Sequence, residues 1–305
     1  IASTVSRVAN DTYSHTRRIM PAQPWWNTLE SSFHKFPDDF ELDLRTELTV
    51  DGTAAADYLL RTAGASLLTG LALPTSISPR QLKRDMATIN YYRNKADKAD
   101  PTAYFKKPDS SRVEIQTSSA GVLRFKPDDG TCELLSFDSP FKTVNPKLRD
   151  SYPKQRRNMR AVAQYWRHDE GPRPTICVIH GFMADPYWLN RMFFALPWFY
   201  AQGYDILLYT LPHHGKRQSR LSPFSGHGLF AHGLSHLNES MAHAVHDFRV
   251  FMDYLEARGV RKIGVTGISL GGYTSSLLAA VEDRLHFSIP NVPVVSLPDL
   301  VLEWF

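Results

Sequence analysis

Two cysteines in 305 residues, Cys132 and Cys177, are too few for a disulfide framework or a cysteine-rich zinc site. Cys177 sits in the apolar run 176–179 and reads as a small buried hydrophobe. Charge of one sign is also lacking. Lys plus Arg number 35 against 31 Asp plus Glu, and the formal charge of +4 is too small to imply a polyanionic partner. The densest basic stretch, 147–160 with Lys154, Arg156 and Arg157, has no interleaved aromatics for base stacking and reads as a solvated loop, not a nucleic-acid site. Long apolar runs are missing too. The segment 54–73 comes nearest, but Asp57, Arg61, Ser66 and Thr69 interrupt it, which favours a buried or surface-docked helix over a membrane span. No internal repeat and no charged-then-apolar leader is evident. The compartment stays open, with a cytoplasmic or peripheral membrane site favoured over secretion.

What remains is an ordinary globular composition, 43% hydrophobic and 22% charged. Residues 1–110 show little strand alternation and contain stretches of helix-like composition, 54–68 and 79–95, so they are expected to form a mainly helical extension. A loop cluster at Pro101, Pro108, Asp109, Ser110 and Ser111 puts the boundary near residue 110, with 111–305 as the second domain. Three short strands are expected at 113–117, 121–125 and 132–137, the last two joined by a turn at Asp128-Asp129-Gly130. From Thr175 strands alternate with helices: strands at 175–179, 205–209, 262–265 and 287–295, helices at 187–201, 234–257 and 270–281. That rhythm implies βαβ units in a doubly wound, mostly parallel sheet.

The chemistry concentrates at Gly267-Ile268-Ser269-Leu270-Gly271, between an expected strand and an expected helix. A serine whose hydroxyl must project above a sheet needs a sharp, strained turn there. Side chains two positions either side would collide, and Gly267 and Gly271 remove them. The backbone N–H of Leu270, at the start of the helix, can face an oxyanion. A second donor is expected after the 175–179 strand, which ends in His180-Gly181-Phe182.

These residues, with Leu211-Pro212-His213-His214-Gly215 after the next strand, resemble the α/β-hydrolase superfamily from about residue 112 onward. The resemblance implies a serine hydrolase acting on a carboxylic ester or related acyl substrate through an acyl-Ser269 intermediate. The partner would be a small-molecule or lipid ester, with no metal and no organic cofactor. Ser269 would be the nucleophile, the amides of Phe182 and Leu270 the oxyanion hole, and Gly181, Gly267 and Gly271 the loop and elbow glycines. His180 and His214 would brace loops.

A base and an acid must complete the triad. The one histidine after Ser269, His286, lies at the sheet edge away from the elbow. Asp299, just past the last expected strand, is the candidate acid in this chain, and the base is expected beyond Phe305. Acyl transfer to another acceptor and a non-catalytic, hydrolase-fold binding or scaffold protein are the alternatives. A histidine stripe, His232, His236, His243 and His246, lacks metal-protease spacing and is expected to face outward on the 234–257 helix. The aromatics of 187–200 are expected to be mostly core.

Overall fold

The computed structural model describes residues 79–96, 100–120 and 125–296, with isolated positions at 52, 53, 55 and 62. The chain divides into two compact units, Ile1–Thr62 and Ala63–Phe305, and the elements below belong to the second. Most of the expected helical extension, the 121–124 part of an expected strand, and Asp299 lie outside the described residues.

Helices α1 (Pro79–Ala96) and α2 (Pro101–Tyr104) precede the sheet. Asp100 caps α2 by accepting from the Thr102 amide, and Pro101 fits the first turn because its missing N–H would have had no helical partner. Strands β1 (Gln116–Ser119), β2 (Gly130–Asp138) and β3 (Arg160–His168) follow, then β4 (Thr175–Ile179), α3 (Tyr187–Phe193), α4 (Leu196–Ala201) and β5 (Asp205–Tyr209). The described chain closes with α5 (His227–Phe230), α6 (Leu234–Ala257), β6 (Ile263–Ile268), α7 (Leu270–Val281) and β7 (Leu285–Asn291).

The seven strands form one sheet in the order β1-β2-β3-β5-β4-β6-β7. Ladders β1/β2, β2/β3 and β3/β5 are antiparallel, while β4 pairs in parallel with both β5 and β6, and β6 with β7. Both β4 and β5 are buried along their whole length, as their unbroken apolar runs require of strands covered on two faces. Alternate residues serve the two faces. Cys177, Ile179, Leu207 and Tyr209 join the core under α6 and α7, whereas Ile176, Val178, Ile206 and Leu208 meet Leu196 and Tyr200 of α4. Helix α6 buries Leu237, Met241, Val245, Phe248, Met252 and Leu255, at steps of three and four along a single stripe.

Several expectations need correction. Strand β3 had no counterpart in the sequence reading, although all but its first residue are buried or half-buried and it joins the antiparallel part of the sheet to β5. The strand expected at 113–117 begins at Gln116, with a 3₁₀ turn at Ser110–Arg112 ahead of it. The single helix expected over 187–201 is two, separated at Ala195, whose φ of +49° lies in the left-handed region. Pro197 explains the break, since it has no N–H and its ring clashes with the preceding turn of any continuous helix. The final strand ends at Asn291, not 295.

Candidate active site

Ser269 stands between β6 and α7 with φ +54° and ψ −112°, a backbone region that side chains occupy at a cost. Three contacts hold it there. Its N–H donates to Asn291 O at the end of β7 (3.0 Å), its carbonyl accepts from Tyr273 N (2.9 Å), and the Asn291 side-chain amide donates to Thr266 Oγ1 (2.9 Å). The parallel register carries this turn past the end of β4, where Ile179 pairs with Gly267. A Cβ on Gly267 would lie 2.9 Å from Ile179 O, and one on Gly271 would lie 2.6 Å from His180 O. Both distances are shorter than real Cβ contacts, so the strand, turn and helix can close only on glycine.

The 180–183 loop lies against this turn. A Cβ built on Gly181 would meet Ser269 Cβ at 3.7 Å and Ile268 O at 3.4 Å. His180 is buried, and its Nε2 accepts from the Leu211 amide (3.0 Å) while its Nδ1 faces Gly181 O (2.8 Å). The neutral tautomer with hydrogen on Nδ1 satisfies both bonds, and burial pushes the ring pKa down. His180 therefore braces the loop. His214 does likewise: Nδ1 faces Pro212 O (2.8 Å), burial and the neighbouring His180 hold its pKa well down, and its ring packs 4.9 Å from His180 and edge-on to Phe182 at 5.7 Å. Phe182 also meets Phe224 and Phe230 from the 211–233 segment. Ser225 Oγ, bonded to Asp185 and accepting from Gly215 N (3.0 Å), ties this segment to the residues that follow the loop.

The structure thus brings Ser269, Leu270, Gly181, Phe182, Gly267 and Gly271 to one place. Asp299 lies outside the described residues, and His286 is exposed at the start of β7, far along the strand from the elbow. The aromatics after the loop divide. Tyr200 is buried and Tyr187, Phe194 and Phe199 pack against the same cluster, so four of the seven are core as expected, whereas Trp188 is 47% exposed, Phe193 61% and Trp198 59%.

The histidine stripe is not outward either. His243 and Glu239 are fully buried, His246 is half-buried, and only His232 is exposed. The 139–158 segment and α1 cover this side of α6. Glu239 accepts from the amides of Val144 (2.7 Å) and Asn145 (2.9 Å) and from Tyr92 Oη (2.8 Å), while burial raises its carboxyl pKa. Further along, Asp247 Oδ2 faces Arg217 Nη2 (2.7 Å) and His243 Nε2 (2.9 Å), and Oδ1 faces His246 Nδ1 (3.2 Å) and Ser139. Burial alone would raise the Asp247 carboxyl, but His243 and Arg217 outweigh it and hold it well below the carboxylate range. Burial also takes His243 down to about 4 despite Asp247, so the ring is neutral at pH 7. The sequence reading missed this network. Its available signal was the four-residue step from His243 to Asp247 on a helix whose other stripe is apolar.

The model of the family described as "Alpha/beta hydrolase domain containing 18" matches residues 86–300, and the chain belongs to that family. It is similar to two Mycobacterium tuberculosis proteins, the uncharacterized proteins MT2702 and Rv2627c, each 29% identical over 224 residues. The match takes in 70% of this chain and 51% of each relative, so the chain spans about half the length of the curated relatives it matches. Among solved structures, acetyl xylan esterase 1 from a Thermoanaerobacterium species superposes with a TM-score of 0.43 at 18% identity, over 67% of this chain and 60% of that one. An acetyl xylan esterase from a Paenibacillus species gives 0.45 at 15% identity, over 66% and 59%.

Proposed function

We propose that this chain carries the nucleophile and oxyanion machinery of a serine hydrolase that cleaves a carboxylic ester or related acyl substrate. The observation that carries the reading is the Ser269 backbone, held at φ +54° between a strand and a helix with Gly181 packed against it. Strain of this kind costs about 1–3 kcal/mol and persists only where surrounding structure imposes it. Membership of a hydrolase-fold family supports the same reading.

In the proposed reaction Ser269 Oγ attacks the acyl carbonyl as a base takes its proton. The amides of Phe182 and Leu270 receive the oxyanion, and the alcohol leaves with a proton. Water then releases the acid from acyl-Ser269. Leu270 opens α7, so its N–H has no acceptor within the helix and is available for this task. His180 and His214 are committed to loop contacts and are not assigned as the base. Asp299 is proposed as the acid, and the base is proposed to lie outside the described residues. Neither a metal nor an organic cofactor enters the proposed steps.

The test is hydrolysis of a panel of short-chain and long-chain aryl esters by the full-length protein and its Ser269→Ala variant. Turnover abolished by the substitution, with folding retained, supports the reading. Turnover that survives in Ser269→Ala overturns it.

A further inference from the structure

Arg217 is a fully buried cation that the proposed reaction does not use. It is the last residue of the 3₁₀ turn Gly215–Arg217, in the segment that follows β5. Its donors are spent on that segment and its surroundings. Nη1 donates to Thr210 O (3.2 Å) and Tyr209 Oη (3.3 Å), Nε and Nη2 donate to Asn158 O (3.1 and 2.8 Å), and Nη2 meets Asp247 of α6 at 2.7 Å. Asn158 in turn accepts at Oδ1 from the His213 amide (2.8 Å). The guanidinium therefore grips the segment 209–217 at both ends, and Asp247 ties the guanidinium to α6, the longest helix among the described residues.

That segment is the one that holds the 180–183 loop. Its Leu211 amide donates to His180, and its His214 ring packs on both His180 and Phe182. A continuous path of contacts thus runs from Asp247 through Arg217 and the turn to the loop packed against Ser269. Few residues other than arginine could occupy the node, because five N–H groups in a planar fork are needed to reach two carbonyls, a phenol and a carboxylate together. A buried ion pair is a poor device for stability alone, since well-packed apolar residues of similar volume often do as well or better. What apolar residues could not supply is the directed hold on Thr210 O and Asn158 O.

We propose that the buried Arg217–Asp247 pair is a positioning pair for the 180–183 loop, fixing the turn whose Leu211 amide and His214 ring set that loop beside Ser269. The catalytic consequence rests on the reading of the loop as the oxyanion wall. The loop's dependence on the pair does not.

The experiment measures amide hydrogen exchange and fluorophosphonate labelling of Ser269 in the full-length protein and three variants, Arg217→Lys, Asp247→Asn and the double variant Arg217→Met with Asp247→Leu. The double variant removes both charges and keeps the proposal falsifiable if an unpaired buried charge unfolds the single ones. Exchange in the peptide 180–184 is expected to rise at least tenfold in each folded variant, with α7 and β3 unchanged. The labelling rate constant is expected to fall at least tenfold, with the half-saturating probe concentration unchanged. Exchange at 180–184 that stays at the unsubstituted level, exchange that rises equally in α7 and β3, or failure of all three variants to fold would make the pair a general support of the core and overturn the proposal. A local rise in exchange with no labelling even of the unsubstituted protein would uphold the pair's hold on the loop while refuting the hydrolase reading.

Discussion

Ser269 is where local rules are broken, and the break has a measurable cost. Glycine at this position relaxes the φ of +54° without altering the contacts its backbone makes to Asn291 and Tyr273. Ser269→Gly is therefore expected to raise stability to urea by about 1 kcal/mol while abolishing the proposed hydrolase activity, a pairing typical of a site that trades stability for function. Equal or lower stability would mean that the turn is not strained. The flanking glycines behave oppositely. Gly271→Ala would push a methyl group against the carbonyl oxygens of Ile179 and His180, which belong to the backbone and cannot swing away. A loss of at least about 2 kcal/mol is expected in chemical denaturation. These positions were legible in the sequence because their requirement is local: a strand, a turn needing absent side chains, and a helix are contiguous in the chain. Asn291, which holds the elbow from β7, was not legible. Its role depends on a parallel register with β6 that no local pattern encodes.

At the scale of the element, α6 decides most. One stripe enters the main core, where Phe248 packs fully buried with its ring 5.7 Å from Tyr209, and Phe248→Ala is expected to cost about 3–5 kcal/mol in thermal or urea unfolding. The other stripe buries a carboxylate, Glu239, against two backbone amides and Tyr92 of α1. Tyr92→Phe removes one of the three donors and should cost about 1 kcal/mol, whereas Glu239→Ala leaves the two amides without their acceptor and should cost about 2–4 kcal/mol. Equal costs for the two would contradict this account of the helix. The sequence identified the length and apolar stripe of α6 but assigned its histidine side to solvent. Polar spacing alone cannot distinguish a wet face from one covered by a distant segment, and the cover here comes from α1 and from 139–158, of which the part from residue 147 was read as a solvated loop. The undetected β3 has a similar origin. Its residues 160–168 combine arginines, glutamine and histidine with apolar ones, so the fully apolar signature of β4 and β5 is missing even though the strand is mostly buried.

For the whole molecule, the buried histidines set the response to acid. His213 and His214 lie well below their ordinary pKa, and His243 is near 4, chiefly because burial disfavours the charged ring. Since these folded-state values are lower than the unfolded value of about 6.5, the unfolded chain binds more protons as the pH falls from 6.5 toward 4. Stability contributed by the neutral rings is complete above pH 6.5 and declines through that window, by about 1.4 kcal/mol per pH unit for each histidine once its unfolded form is charged. Asp247 acts at lower pH, because its depressed pKa keeps it ionised in the folded state throughout the window. Urea midpoints measured from pH 7.5 to 4.5 should fall steeply below pH 6.5, and the slope should lessen in His243→Gln. A flat profile would show that these rings are not held neutral.

The fold class was readable from the alternation of strands and helices after residue 175, and the family match agrees with it. The antiparallel β1–β3 half, where pairing partners are set by tertiary register, was only partly readable.

The most direct test of the central claim is intact-mass analysis of the full-length protein after exposure to a fluorophosphonate, with Ser269→Ala in parallel. The account predicts one phosphonyl adduct, located by peptide mapping to Ser269 and absent from the variant. A folded protein that takes no adduct, or an adduct retained in Ser269→Ala, would contradict it.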